Sequence, residues 1–226
     1  KDTVWPFVGT VIYGILVLKQ PDMGTAAIIV ALMVGLYILA GLRLREVFGL
    51  LGILGAVAVA GAIMAPYRLQ RIKVWLDPWS DPRGKGFQTI QSLLAIGSGG
   101  VTGLGLGNSK QKFLYLPEAQ NDFIFAVVCE ELGLIGACLI LALFALLIIR
   151  GYWLALHARD RFGSLVIVGV TTLFAFQVFA NVAVVTNLFP VTGISLPFFS
   201  SGGSALIIQL AEMGLILSIS RQNPVT

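Results

Sequence analysis

Long runs of apolar residues, separated by shorter polar stretches, dominate the pattern of this chain. A membrane-spanning helix needs about 20 mostly apolar residues, and several segments approach or reach that length. The six segments are Val4–Leu18, Met23–Leu42, Val47–Ala65, Phe123–Ile149, Gly163–Leu188 and Ala205–Ser220. The pattern therefore predicts an all-α fold, a polytopic helical membrane protein with six transmembrane helices.

The composition excludes the other common classes of protein. Of 226 residues, 57% are hydrophobic and 12% are charged, whereas about 25% are charged in an average soluble domain. So apolar a chain cannot cover a water-facing surface, and it is too hydrophobic to be disordered. Cys129 and Cys138 fall on opposite faces of one predicted helix, so we interpret both as small buried hydrophobic residues rather than as a disulfide. The net charge of +4 is spread over the loops and indicates no nucleic-acid partner.

The basic residues leave the membrane orientation nearly undecided. With the first residue in the cytoplasm, seven Lys and Arg residues lie inside and eight outside. The short loops Leu42–Glu46 and Arg150–Phe162 favour this orientation, whereas the long loop Pro66–Asp122 carries most of the outside charge. The chain also begins in or just before an apolar segment, without Met or a signal-peptide pattern. We therefore expect it to be part of a longer protein.

The long loop is the place where chemistry is most expected, since long loops often carry function. Its segment Phe87–Ile96 has apolar residues at helical spacing and predicts a short amphipathic helix at the membrane face. The next segment, Gly97–Gly107, has six glycines in eleven residues. These glycines would either bring backbone N–H groups close to a phosphate or form a packed re-entrant turn.

Charged residues gather where the long loop meets the fourth predicted span. Lys110, Lys112 and Glu118 precede Asp122, which directly adjoins the apolar run. Asp is a preferred N-cap, and its charge suits the positive end of a helix. A carboxylate at the water-facing mouth of a helix is equally a candidate catalytic group. From the residues alone, both roles for Asp122 stay open.

Polar residues inside the predicted spans form a second group of candidates. Glu130, Glu131 and Glu212 are carboxylates within apolar segments, where an ionisable group is expensive and is either functional or hydrogen-bonded inside the bundle. Gln177 and Asn181 lie four residues apart on one helix face, so we expect them to hold neighbouring helices together.

Several ordered motifs in this chain resemble those of the SEDS family, the shape, elongation, division and sporulation proteins that include FtsW, RodA and SpoVE. The matching segments are Lys19–Thr25, Asp77–Pro82, Gln91–Gly100, Tyr115–Phe125, Glu130–Gly133 and Pro190–Ser200. A further segment, Gly103–Lys112, is more similar to the FtsW and SpoVE branch than to RodA. The resemblance implies that residues 1–226 are the C-terminal part of a single transmembrane domain of about ten helices.

The same resemblance implies an activity and an orientation. It implies a peptidoglycan glycosyltransferase in the bacterial cytoplasmic membrane, which polymerises lipid II during division or sporulation. The loop 66–122 would then be extracytoplasmic and would carry the active site on that face. The essential aspartate of the family's motif corresponds to Asp122. We expect it to be the base in an inverting displacement from a lipid-pyrophosphate donor.

Other residues complete the expected site. Lys110 and Lys112 would bind the departing pyrophosphate, and Arg68, Arg71 and Lys73 are weaker candidates. Glu118 would hold a sugar hydroxyl or a metal, or orient the loop. Gln120 and Ser200, which lie in two matching motifs, are further substrate-binding candidates.

The expected cofactors and partners follow from the same resemblance. No dedicated metal-ligand cluster is visible in the sequence, although a divalent cation, Mg²⁺ or Mn²⁺, would suit the pyrophosphate. The implied partners are a class B penicillin-binding transpeptidase and divisome membrane proteins. The alternative function is a lipid II flippase, which Glu130, Glu131 and Glu212 would favour if they lined a polar path through the bundle.

Overall fold

The computed structural model describes residues 23–41, 49, 52, 66–114, 116–117 and 119–221, and these residues are all-α. The helices are α1 (Met23–Ala40), α2 (Pro66–Leu76), α3 (Phe87–Gly99), α4 (Lys110–Leu114), α5 (Ile124–Leu156), α6 (Arg161–Val185) and α7 (Gly203–Arg221), with a 3-10 turn at Pro78–Ser80. The chain divides into two compact units, Lys1–Gln70 and Arg71–Thr226. Helix α1 lies in the first unit, and α3 to α7 lie in the second.

Within the described residues, three helices are long and apolar enough to cross a membrane: α5, α6 and α7. They confirm the last three predicted spans, and α1 confirms a helix where Met23–Leu42 predicts one. The predicted spans Val4–Leu18 and Val47–Ala65 lie outside the described residues, except for Gly49 and Gly52. Many Leu and Ile side chains of α5 and α7 are exposed, as expected for residues that face lipid.

Helix α5 is longer than its predicted span. It continues to Leu156, so the predicted loop Arg150–Phe162 is mostly helical. Arginine is a good helix former, and the guanidinium of Arg150 lies 4.1 Å from the centre of the Trp153 ring on the same helix. Cys129 is buried as predicted, but Cys138 is exposed. It lies on the opposite face of α5, which packs against no described element at that point.

The long loop contains more regular structure than the sequence predicts. The predicted helix Phe87–Ile96 is confirmed as α3, and the 3-10 turn lies in the predicted turn segment Leu76–Gly86, but α2 and α4 were not predicted. Ser92 on α3 is buried against the protein, whereas Leu94 on the opposite side is 48% exposed, which agrees with an amphipathic helix whose apolar side faces the membrane. Ser92 donates a hydrogen bond to the carbonyl of Val185 at the end of α6, 2.8 Å away. This hydrogen bond, together with the buried Ile90 and Ala95, holds one side of α3 against the bundle.

Helix α5 is interrupted at Gly133, and the glycine-rich loop fills the interruption. Gly133 has φ 64° and ψ −168°, a combination that is essentially restricted to glycine. The break leaves backbone groups of α5 without partners inside the helix. Leu104 N–H and Gly105 N–H donate to the carbonyls of Glu130 and Glu131, each across 3.0 Å. The loop thereby restores the donors that the helix break removes.

The same loop also serves the groups on the other side of the break. Gly100 and Val101 supply the carbonyls that accept from Leu134 N–H and Ile135 N–H, across 2.9 and 3.2 Å. In a membrane segment an unpaired backbone group costs several kcal/mol, so an irregular stretch persists only where protein satisfies it. Of the two interpretations of the glycine-rich segment, the structure has the packed turn.

We predict that Gly133→Ala strongly destabilises the protein. A Cβ on Gly133 would collide with the backbone of Gly103 and Val101, and the backbone angles disfavour any side chain. We expect the free energy of unfolding to fall by about 3 kcal/mol or more. Thermal unfolding in detergent, followed by Trp fluorescence, measures this change.

The matched control is Gly97→Ala in α3. A Cβ on Gly97 meets no other atom within 4 Å, and alanine favours a helix by up to about 1 kcal/mol. Equal stability losses in the two variants would contradict the packing described for the interruption.

Candidate active site

Asp122 lies at the start of α5, at the end of the long loop. Phe123 occupies the N-cap position and makes no side-chain capping bond, so the predicted N-cap position for Asp122 is wrong by one residue. The Asp122 side chain is half-buried. Its Oδ2 is 3.6 Å from the position that a Cβ would take on Gly193, a glycine with φ 74°. Gly193 and the carboxylate of Asp122 are therefore neighbours.

The backbone of Asp122 is fixed by a buried side-chain amide near the C-terminal end of α6. Asn181, on α6, is fully buried at 0% exposure. Its Nδ2 donates to the carbonyl of Asp122 across 2.8 Å and to the carbonyl of Ile194 across 2.7 Å. We predicted that Asn181 holds neighbouring helices together; it joins α6 to the start of α5, through backbone carbonyls, and to the loop between α6 and α7. Gln177, one turn earlier, has a buried Oε1 without a hydrogen-bond partner in the described part of the chain.

The loop between α6 and α7 clamps the residues before Asp122. The Ser200 hydroxyl donates to the carbonyl of Asn121 across 2.6 Å and accepts from Leu196 N–H across 2.8 Å. Ser201 N–H donates to the carbonyl of Gln120 across 2.9 Å. Three consecutive carbonyls, at positions 120 to 122, therefore accept hydrogen bonds from α6 and from the loop between α6 and α7.

The clamping loop is itself anchored to the bundle. Phe198 has φ 63°, a left-handed conformation that is unusual for an aromatic residue. Its N–H donates to the Oε1 of buried Gln209 on α7 across 2.9 Å, and its ring stacks on Phe174 of α6 with centroids 5.3 Å apart. The strained conformation is thus supported by both neighbouring helices.

An apolar cluster lies beneath these polar contacts. It unites residues from α3, α5, the end of α6 and the clamping loop, and Phe123 at its centre is 1% exposed. Other members are Ala95, Phe125, Val185 and Leu196. Since Phe123 is anchored in this cluster, the preceding Asp122 cannot move without unpacking the core.

The candidate cationic residues lie on the short helix α4. Lys110 is exposed and Lys112 is half-buried. The helix is held by Glu130 of α5, whose carboxylate accepts from the Ser109 hydroxyl across 2.5 Å and from Lys110 N–H across 3.1 Å. The carboxylate is 1% exposed. Of the two predicted roles for this acid, the structure shows hydrogen bonding inside the bundle.

The remaining predicted site residues differ in what they can offer a substrate. The side chain of Gln120 is exposed, whereas the Ser200 hydroxyl already donates its one proton to the protein and retains only acceptor capacity. Glu118 lies outside the described residues. Glu131 and Glu212 are half-buried, and Oε1 of Glu131 has no hydrogen-bond partner in the described part of the chain.

Sequence comparison assigns the chain to a family. A model of the FtsW, RodA and SpoVE cell-cycle proteins matches residues 1–224. The chain belongs to this family. It is 50% identical to stage V sporulation protein E of Bacillus subtilis over 96% of the chain and 59% of that protein. It is 46% identical to a probable peptidoglycan glycosyltransferase FtsW of Trichlorobacter lovleyi over 91% of the chain and 54% of that protein.

Solved structures agree with the family assignment. The fold matches a chain from work described as "Structural coordination of polymerization and crosslinking by a peptidoglycan synthase complex" with a TM-score of 0.77 and 34% identity, over 98% of this chain and 62% of that one. It matches the rod shape determining protein RodA of Thermus thermophilus with a TM-score of 0.60 and 28% identity, over 99% and 58%. The predicted SEDS resemblance is confirmed. The chain spans between half and two thirds of the length of these relatives.

We predict that Asn181→Ala destabilises the protein, because it removes the hydrogen bonds that join α6 to Asp122 and to the loop between α6 and α7. The substitution leaves the buried carbonyls of Asp122 and Ile194 without their donor, at a cost of about 2 kcal/mol or more. Gln177→Ala is the matched control on the same helix, since Gln177 Oε1 has no partner to lose. Thermal unfolding in detergent should show a large loss for the first variant and a small one for the second. A larger loss for Gln177→Ala would contradict the assignment.

Proposed function

We propose that the protein is a peptidoglycan glycosyltransferase that polymerises lipid II, with Asp122 as its catalytic base. The observation that carries the proposal is the fixed position of Asp122 at the start of α5, where its carbonyl is held by Asn181. The names of the FtsW relatives support the reaction class. The base and the substrate follow from the match between the family's aspartate motif and residues 117–125.

The chemistry needs one proton acceptor and one direct displacement. The 4-hydroxyl oxygen of the acceptor sugar attacks the anomeric carbon of the donor and passes its proton to the Asp122 carboxylate. The bond between that carbon and the pyrophosphate oxygen breaks, so the configuration inverts and the lipid pyrophosphate leaves. Because the carbonyls of residues 120 to 122 are all hydrogen-bonded, the backbone that carries this carboxylate needs little reorganisation during this step.

The leaving group carries negative charge and requires cations. Lys110 and Lys112, both on α4, are the proposed partners of the pyrophosphate. A divalent cation, Mg²⁺ or Mn²⁺, is compatible with this arrangement, since Mg²⁺ is often held by one or two carboxylates plus substrate phosphates. Its ligands would be the substrate phosphates and Glu118, the candidate from the sequence; within the described part of the chain, no group of three or more His, Cys, Asp or Glu residues could hold a metal ion.

The proposed setting is the bacterial cytoplasmic membrane with the site on its outer face. There the lipid tail of the donor stays in the bilayer while its sugars reach Asp122 from water. The proposed partner is a class B penicillin-binding transpeptidase, which would crosslink the new strand, and other divisome membrane proteins. Similarity to a chain of a peptidoglycan synthase complex supports this partner.

The flippase alternative is not favoured. It required Glu130, Glu131 and Glu212 to line a polar path, but the Glu130 carboxylate is enclosed by hydrogen bonds from residues 109 to 111. The FtsW relatives are also named as glycosyltransferases and not as transporters.

We predict that Asp122→Asn, in the complete protein, leaves folding intact and lowers lipid II polymerisation by about 10²- to 10⁴-fold, the usual contribution of a general base. Asn has nearly the same size and cannot accept the proton. Labelled lipid II and a gel for glycan strands measure the activity, and thermal unfolding checks the fold. Normal polymerisation by this variant would refute the base, whereas transbilayer movement without polymer would favour a flippase.

We also predict that Lys112→Ala lowers kcat/KM for lipid II by about tenfold to a hundredfold, since a charged contact contributes about 1.5–3 kcal/mol. Lys112→Arg keeps the positive charge and is the matched control. Steady-state kinetics with purified protein measure both variants. Unchanged kinetics for Lys112→Ala would remove this residue from pyrophosphate binding.

A further inference from the structure

We infer that Glu130 is a positioning residue for donor binding, which holds the lysine-bearing helix α4 in register with Asp122. This inference rests on the proposed function and adds a residue that touches neither the acceptor sugar nor the donor. Its basis is a set of hydrogen bonds that converge on one buried carboxylate. Together with a backbone contact of the same residue, they fix the segment that leads from the glycine-rich loop into α4.

The carboxylate of Glu130 accepts at both of its oxygens. Oε2 accepts from the Ser109 hydroxyl across 2.5 Å and from Gln111 N–H across 3.4 Å, while Oε1 accepts from Lys110 N–H across 3.1 Å. An ionised carboxylate is an acceptor only, and three donors match that capacity. Because Glu130 is 1% exposed, water does not compete for these bonds, and hydrogen bonds to a charged acceptor are the stronger kind.

Ser109 extends the arrangement by one residue. Its hydroxyl oxygen accepts from Lys112 N–H across 3.0 Å while its proton goes to Glu130. The first N–H groups of a helix have no partner within the helix. Here Glu130 and Ser109 together satisfy those of Lys110, Gln111 and Lys112. A helix of five residues is too short to be stable alone, so this external carboxylate decides its position.

The backbone of Glu130 fixes the other end of the same segment. Its carbonyl accepts from Leu104 N–H across 3.0 Å, next to the interruption of α5. Residues 104 to 111 are therefore attached to Glu130 at both ends. Asp122 and Glu130 belong to the same stretch before that interruption, separated by about 12 Å of helical rise. The proposed base therefore lies just before the helical segment that carries the anchor of the proposed cations.

Glu131 offers a matched comparison on the neighbouring position. It has the same charge and size and is half-buried, and its Oε1 has no hydrogen-bond partner in the described part of the chain. Glu131→Gln therefore changes the charge of the interrupted helix without changing the contacts to α4. Ser109→Ala is a milder variant of the same anchor, since it removes one donor and leaves the carboxylate in place.

The test uses the complete protein, purified in detergent, with labelled lipid II. We expect Glu130→Gln to raise KM by about tenfold, with kcat within about twofold of the wild type. Ser109→Ala should raise KM less, and Glu131→Gln should leave it unchanged. Lipid II binding in an Asp122→Asn background, measured without turnover, should weaken by the same factor in Glu130→Gln.

A second comparison separates positioning from general structural damage. In a protein that already carries Lys110→Ala and Lys112→Ala, Glu130→Gln should have little further effect on lipid II binding, because the groups it positions are gone. An equal loss in both backgrounds would overturn the inference, as would a fall in kcat with unchanged KM. If Glu130→Gln does not fold, Ser109→Ala carries the test in the same two backgrounds.

The outcome is separable from that of the proposed function. Failure of the wild type to polymerise lipid II, or normal activity of Asp122→Asn, would count against the glycosyltransferase proposal. An active wild type with equal KM values for Glu130→Gln and Glu131→Gln would count against the positioning role alone.

Discussion

The interruption of α5 at Gly133 is the constraint on which the rest of the second unit depends. A continuous helix would satisfy its own backbone and would leave no place for the glycine-rich loop. Because Gly133 adopts φ 64°, two carbonyls and two N–H groups of α5 are available to Gly100–Gly105. The loop then joins α3 to α5, and α3 in turn donates from Ser92 to the end of α6. In an apolar surrounding these backbone bonds are obligatory rather than optional.

A second consequence concerns the polar residues inside the spans. Asn181 and Glu130 are nearly or fully inaccessible, and a buried polar group costs stability unless it is hydrogen-bonded. Both residues form hydrogen bonds with loops and helix ends: Asn181 with Asp122 and the loop after α6, and Glu130 with Ser109 and the first N–H groups of α4. The bundle therefore uses buried polar groups to fix the two loops that flank Asp122.

The sequence predicts the parts of this arrangement that depend on local pattern. Apolar runs identify α5, α6 and α7, and helical spacing identifies α3, because burial in lipid or core imposes those periods. The sequence does not predict that α5 continues past Arg150. A charged residue after an apolar run can begin a loop, or it can lie within a helix that continues beyond the run. The sequence also does not predict which side of α3 faces α6, since this depends on tertiary contacts such as the hydrogen bond between residues 92 and 185. The motif match, rather than any spacing, singles out Asp122.

The contacts of Asn181 show why the site itself is only partly readable from sequence. A buried amide in an apolar helix signals that a polar partner exists, and this signal was present in the spacing of Gln177 and Asn181. It does not say which partner, because the acceptors are backbone carbonyls at positions 122 and 194, and every residue carries one. The same holds for Glu130, which needs hydrogen-bond donors rather than acceptors. Its donors include the backbone N–H groups at the start of α4, and their position cannot be predicted from the sequence. The identity of a buried polar side chain shows that it requires hydrogen-bond partners, whereas the tertiary fold determines which backbone groups become those partners.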